Sequence, residues 1–198
     1  MFKDDLLKGK RILVTGGGSG LGKEMSRYFL KYGAEVLICG RRVSVLEDTA
    51  KELMVRASSS KANIVLPIDF NGELNKFGSG KLHYAKSDSI KKTMICEDIG
   101  ELSINLFADI IKESETVFWN GTVGVAENKH FAIGTNKIID IIADHDCVSI
   151  VGGGDTIAAI RNYKKGIIDE FSHASTGGGS CLELLSGNKL PAIEMLKK

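Results

Sequence analysis

"RILVTGGGSGLGKEM" (Arg11–Met25) decides the fold. The run Arg11–Thr15 is short and rich in β-branched and apolar residues, which suits a buried strand. Glycines follow at 16, 17, 18, 20 and 22. Beyond them Leu21, Met25, Phe29 and Tyr32 recur at helical spacing, and Gly33 supplies a stop. Strand, glycine turn and helix in that order predict the first half of a βαβ unit. Bare backbone N–H groups at a helix N-terminus form an anion-binding turn.

The same rhythm repeats outward from this unit. Further strands are expected at 35–39 (EVLIC), 63–68 (NIVLPI), 116–119 (TVFW), 148–151 (VSIV) and 171–175 (FSHAS). They are apolar on both faces, as parallel strands covered by helices require. Ser44-Val45-Leu46-Glu47 reads as a capping box, with Leu46, Ala50, Leu53 and Ala57 as the buried face behind it. More helices are expected near 98–113, 134–143, 156–165 and 179–186, with Gly166 and Gly187 where helices end. Alternating β and α predicts a three-layer, Rossmann-like, doubly wound and mostly parallel sheet of about six strands. Residues 1–198 are expected to form a single domain. Residues 71–92 are polar and aperiodic; they read as a long connection, at most a short antiparallel pair, with no chemistry.

The composition excludes several classes. A net charge of +1 with no Lys/Arg run argues against binding nucleic acid by bulk charge. No apolar run reaches the length of a membrane span, and "MFKDDLLKGK" does not read as a secretory signal, so a cytoplasmic setting is expected. The four cysteines form no C-x-x-C pair and read as reduced thiols, and the histidines show no metal-ligand spacing.

Three glycine triplets stand out: "TGGGSG" (15–20), "VGGGDT" (151–156) and "STGGGS" (175–180). Each follows an expected strand and opens an expected helix. Three such turns at the carboxyl ends of one sheet predict phosphate binding.

The first turn has the spacing T-G-x-x-x-G-x-G, carried by Thr15, Gly16, Gly20 and Gly22. Over about residues 2–53 it resembles the short-chain dehydrogenase/reductase family. Arg41 and Arg42 follow the second strand, where arginine suits the 2′-phosphate of NADP. The resemblance stops there. That family's acid–base tyrosine sits four residues before a lysine, whereas Tyr28, Tyr32, Tyr84 and Tyr163 are followed at that distance by Tyr32, Val36, Asp88 and Ile167. A P-loop reading fails as well, because Glu24 follows Lys23 where Ser or Thr would hold Mg²⁺.

From about residue 48 to 198 the motifs "IVLPIDF", "TVFWNGTVGVAE", "FAIGT", "SIVGGGDTIAAI" and "FSHASTGGGSCLELLSGNKLPAIEML" resemble the C-terminal, nucleotide-binding domain of phosphoglycerate kinase. That resemblance implies Mg²⁺ with ADP or ATP, and phosphoryl transfer to or from 3-phosphoglycerate in glycolysis. It implies roles for residues here. Glu127 would hold the ribose hydroxyls and Asn120 would wall the nucleotide. Asp155 would bind the nucleotide's Mg²⁺, with Gly152, Gly153, Gly154 and Thr156 on phosphates. The N–H groups of Gly177, Gly178 and Gly179 would face the transferring phosphoryl group. Laying the first glycine turn on that family's first turn makes Lys23 a phosphate ligand. Thr122 and Ala126 stand where the family usually has Pro and Phe, which implies a looser turn and weaker nucleotide binding.

Together these likenesses read as a composite: a dehydrogenase-like βαβ over 1–50 and a kinase-like remainder over 51–198. The alternative reading is an NADP-binding reductase fragment, or an inactive folded chimera. Without the acceptor-binding domain of the kinase family, little or no turnover is expected. Ile193, Met195 and Leu196 in the tail are expected to be exposed or docked on a partner, including a second copy.

Overall fold

A computed structural model describes residues 6–15, 18, 20–39, 43–57, 65–177, 180 and 190–196. In chain order these hold β1 (Arg11–Thr15), α1 (Gly20–Lys31), β2 (Glu35–Cys39), α2 (Val43–Ala57), β3 (Asp69–Leu74), β4 (Leu82–Lys86) and β5 (Met94–Ile99). There follow α3 (Glu101–Lys112), β6 (Thr116–Asn120), α4 (Ile133–Ala143), β7 (Val148–Gly152), α5 (Gly154–Tyr163), a 3₁₀ turn (Ile167–Glu170), β8 (His173–Ser175) and α6 (Pro191–Leu196).

The described parts of the opening stretch form the strand β1 and the helix α1 that its spacing predicts. Met25, Phe29 and Leu30 of α1 are buried, and the helix stops at Gly33, where φ is +91°. Gly33 N–H donates to Leu30 O at 3.1 Å and Ala34 N–H to Phe29 O at 3.0 Å, the paired bonds of a glycine-ended helix. β1 and β2 pair in parallel, and so do β6 with β7 and β7 with β8. Two parallel ladders result, β2-β1 and β6-β7-β8, and they lie side by side with β1 next to β6, giving the spatial order β2-β1-β6-β7-β8. The order reverses between β1 and β6, the kind of position where open α/β sheets bind ligands.

Alternation along β6 makes the three layers. Phe118 faces a core shared with α1 and α2. Val117 and Trp119 face the opposite core, built with α3, α4 and α5. A sheet covered on both faces needs apolar residues at successive positions, which is why these strands lack alternation in sequence.

The sequence misleads most clearly over residues 63–99. Among the described residues the strand expected at 63–68 does not form: residues 65–68 make no ladder, residues 63 and 64 lie outside the described residues, and β3 begins at Asp69. The stretch 71–92, expected to be a long connection with at most a short antiparallel pair, does hold such a pair: it supplies most of β3 and all of β4. With β5 they form an antiparallel sheet of order β4-β3-β5. Polar residues take these strands because their burial is met by specific bonds. Glu73 accepts from Ser79 N–H at 3.0 Å and from Gly80 N–H at 2.7 Å. Asp69 accepts from Leu102 N–H and Ser103 N–H at the start of α3. Periodicity in apolar residues carries no signal for such strands.

Other boundaries shift by a few residues. α3 begins at Glu101, α4 spans Ile133–Ala143 and α5 begins at Gly154. The helix expected at 179–186 and its Gly187 stop lie outside the described residues, apart from Ser180. Ile193 and Met195 in the tail are exposed, and the side chain of Leu196 lies outside the described residues. Among the described residues no helix is long and apolar enough to cross a membrane.

Candidate functional site

The parallel ladders bring three strand ends together. Asn120 of β6 is registered with Gly152 of β7, and Gly152 with Ser175 of β8. Each residue begins one of the glycine-bearing turns, so motifs far apart in sequence share one edge of the sheet.

The turn after β7 depends on glycine. Gly153 has φ +96°, and a Cβ there would stand 2.8 Å from Asn120 Oδ1. Its N–H donates to Ser175 O at 3.3 Å. A Cβ on Gly152 would come 3.4 Å from the same Asn120 oxygen, while one on Gly154 would meet nothing within 4 Å. The Asn120 side chain therefore lies over Gly152 and Gly153, and the backbone opens to solvent at Gly154. Asp155 is exposed in the first turn of α5 and Gly153 is that helix's N-cap. A carboxylate near a helix N-terminus is favoured by the helix dipole.

Thr156 is fully buried, and its Oγ1 accepts the Gly121 N–H at 2.7 Å. The hydroxyl assigned by sequence to phosphates thus joins the turn after β6 to the start of α5. Thr122 Oγ1 donates to Gly124 O at 2.8 Å, closing the same turn from its other side.

Glu127 stands exposed on the loop that follows. With Asp155 it lines a cavity of about 360 Å³, joined by Ala126, Lys129, Asn136, Asn162 and Tyr163. Sequence reasoning missed the last three, which come from the facing sides of α4 and α5 and belong to no motif. Tyr163 OH donates to Asp140 Oδ2 at 2.7 Å, and Lys164 Nζ donates to Oδ1 at 2.5 Å. The bond to Asp140 pushes the phenol pKa up, so the hydroxyl keeps its proton.

The first glycine turn is placed differently. Gly18 is buried, its carbonyl accepts Thr49 Oγ1 at 2.6 Å, and a Cβ on it would come 3.2 Å from Leu46. This glycine serves packing against α2. Gly20 and Gly22 fall in the first turn of α1. Lys23 pairs with Glu52 at 2.6 Å, so its ammonium already has a carboxylate partner. The side chain of Thr15 and residues Gly16, Arg41, Arg42, Gly178 and Gly179 lie outside the described residues; Gly177 is exposed after β8.

The donor set bears on metal chemistry. Among the described residues no three His, Cys, Asp or Glu side chains come together as a metal cage. One exposed carboxylate beside a glycine turn at a helix N-terminus suits Mg²⁺, which takes one or two carboxylates and completes its shell with phosphates and water.

A family model described as phosphoglycerate kinase matches residues 4–188. The chain belongs to the phosphoglycerate kinase family. It is 35% identical over 192 residues to the phosphoglycerate kinase of Bdellovibrio bacteriovorus, covering 95% of this chain and 46% of that one. To the Francisella tularensis phosphoglycerate kinase it is 38% identical over 199 residues, covering 98% and 48%. The solved phosphoglycerate kinase of Coxiella burnetii superposes with a TM-score of 0.81 at 25% identity, covering 96% of this chain and 53% of that one. The chain thus spans about half the length of the curated relatives it matches. The family match begins at residue 4, so it runs through the first βαβ unit, where the wording resembles a dehydrogenase.

Proposed function

We propose that residues 1–198 act as one nucleotide-binding domain that takes Mg-ADP or Mg-ATP at the carboxyl ends of β6, β7 and β8. The observation that carries this reading is Glu127 and Asp155 lining one cavity, although one comes from the 121–132 loop and the other from the first turn of α5. Glu127 accepts from the ribose hydroxyls. The backbone of Gly152 and Gly154 donates to phosphate oxygens, while Gly153, its N–H held on Ser175 O, shapes the turn and Asn120 fixes it from one side. Asp155 offers an oxygen ligand to the Mg²⁺ of the nucleotide. When bound, that ion neutralises charge on the phosphates between which the bond breaks. Gly177, Gly178 and Gly179 give their N–H groups to the transferring phosphoryl group.

The reaction served is phosphoryl transfer between ATP and 3-phosphoglycerate, in cytoplasmic glycolysis. Such catalysis rests on holding donor and acceptor in line. These residues assayed by themselves are expected to bind nucleotide and turn over slowly. A coupled assay with ATP and 3-phosphoglycerate checks this, and turnover equal to that of a two-domain kinase would refute it. The dehydrogenase-like wording of residues 1–50 is read as a variant way of building β1, α1 and β2, and the buried Gly18 and the paired Lys23 support that reading.

Titration calorimetry tests the site. Mg-ADP binding is expected, and Asp155→Ala should abolish it. NADPH binding that needs no Mg²⁺ and weakens in Arg41→Ala would overturn the kinase reading in favour of a reductase fragment.

A further inference from the structure

The loop from Gly121 to Ala132 carries Glu127 at its outer part and returns on itself at its base. Gly124 near its start and Gly134 just past its end both meet one side chain, Asp98 at the end of β5. Gly134 N–H donates to Asp98 Oδ2 at 2.8 Å, and Ile99 N–H donates to Oδ1 at 2.9 Å. The Ile133 backbone also bonds to this carboxylate. A Cβ on Gly124 would stand 2.3 Å from Asp98 Oδ1 and 2.3 Å from Phe131 O, and one on Gly134 would stand 2.4 Å from the same carboxylate oxygen. The adjacent carbonyl of Glu97 accepts Val125 N–H at 2.8 Å. Asp98 itself is 2% exposed. Val123 and Phe131, which flank the loop's two stems, are buried at 1% each.

We propose that Asp98 is a positioning residue for the nucleotide site: its carboxylate bonds the second stem of the 121–132 loop at Ile133 and Gly134 while Gly124 of the first stem packs against it, and so sets where Glu127 stands. This rests on the nucleotide reading above and adds to it the source of Glu127's placement. α4 has Ala132 as its N-cap and no side-chain cap of its own, so the carboxylate reaching across from β5 is also what meets its first N–H groups. The two glycines leave space for the carboxylate and none for a side chain. The loop has internal bonds, Asn128 N–H to Val125 O and Phe131 N–H to Asn128 O, which let it move as a unit once its base is fixed.

Two measurements on the 198-residue chain test this. The first is amide hydrogen exchange without nucleotide. Asp98→Asn replaces one accepting oxygen by an amino group, which cannot accept from Ile99 or Gly134. Exchange at Val125, Asn128, Phe131 and Gly134 is expected to speed up by about tenfold or more, with β6 and β7 amides unchanged. Unchanged loop exchange overturns the proposal. Should Asp98→Asn fail to fold, Gly134→Ala intrudes on the same contact from the helix side and is expected to loosen the same amides; an intact loop there overturns it equally.

The second is a double-mutant cycle on Mg-ADP affinity with Asp98→Asn and Glu127→Gln. Asp98→Asn alone is expected to weaken binding about tenfold. In the Glu127→Gln background it should weaken binding little further, because the residue acts through Glu127. Fully additive losses overturn the positioning role. No Mg-ADP binding by the unmodified chain would instead sink the nucleotide reading, and the exchange measurement would still decide whether Asp98 holds the loop.

Discussion

Asp98 combines deep burial with three backbone donors, and burial dominates: its carboxyl is pushed from an ordinary 3.8 up to about 7, against the lowering effect of the Gly134, Ile99 and Ile133 bonds. Between those values the folded chain holds a proton that the unfolded chain has released. Its contribution to stability is therefore present at low pH and lost as pH rises toward 7, with a slope of at most about 1.4 kcal/mol per pH unit. Glu97 next to it is 1% exposed with neither carboxylate oxygen bonded, and burial, then the charge of Glu73, pushes its pKa up too. That acts with the same sign. Urea unfolding at pH 5, 6, 7 and 8 should show stability falling between 5 and 7, and Asp98→Asn should flatten the slope; parallel slopes would refute the assignment. Gly153 is the other residue whose identity is forced. Alanine there would sit at φ +96° and press on Asn120, so a loss of roughly 1–3 kcal/mol is expected in denaturant melts. Glycine was legible here as part of a triplet. The reason that this particular glycine is required was not, since Asn120 reaches it only across the β6–β7 ladder.

At the scale of elements, the antiparallel sheet supports the helices beside it. Gly100 is the N-cap of α3 and Ala132 that of α4, and neither helix has a side-chain cap at its own N-terminus. Asp69 from β3 takes the Leu102 and Ser103 N–H groups at 3.0 and 2.7 Å, as well as Ser103 Oγ at 2.5 Å, and Asp98 from β5 does the corresponding work for α4. Asp69→Ala would leave these buried groups unpaired and is expected to cost about 1–3 kcal/mol by equilibrium unfolding. A cost no greater than that of the exposed Glu101→Ala would show that the cap is dispensable. The apolar periods of α3 and α4 were readable, and their locations were anticipated to within a few residues. Their caps were not readable, because a local N-cap motif is what sequence reading looks for and these caps come from strands distant in the chain. The same polar residues hid β3 and β5, whose burial is satisfied by helix ends and turns and so leaves no apolar pattern.

For the whole molecule, the two cores on either face of the parallel sheet are linked through β6, which gives Phe118 to one and Trp119 to the other. Trp119 is the only tryptophan and is fully buried, so its emission reports on the second core directly. If residues 1–198 are one domain, its fluorescence change and the loss of helical circular dichroism should coincide on unfolding; separated transitions would divide the β1–α2 unit from the rest. The sequence by itself determined the α/β class, five of the strands, most helices and the glycine turns that follow the strands, because strand and helix periods and bare glycine turns are local properties of the chain. Only the tertiary structure decided that Glu127 and Asp155 share a cavity, that Gly18 and Lys23 are engaged by α2, and that Asp98 clasps the Glu127 loop. Each of these is a contact between residues far apart in sequence, fixed by strand register and by the need to pair buried polar groups, and no local pattern encodes it.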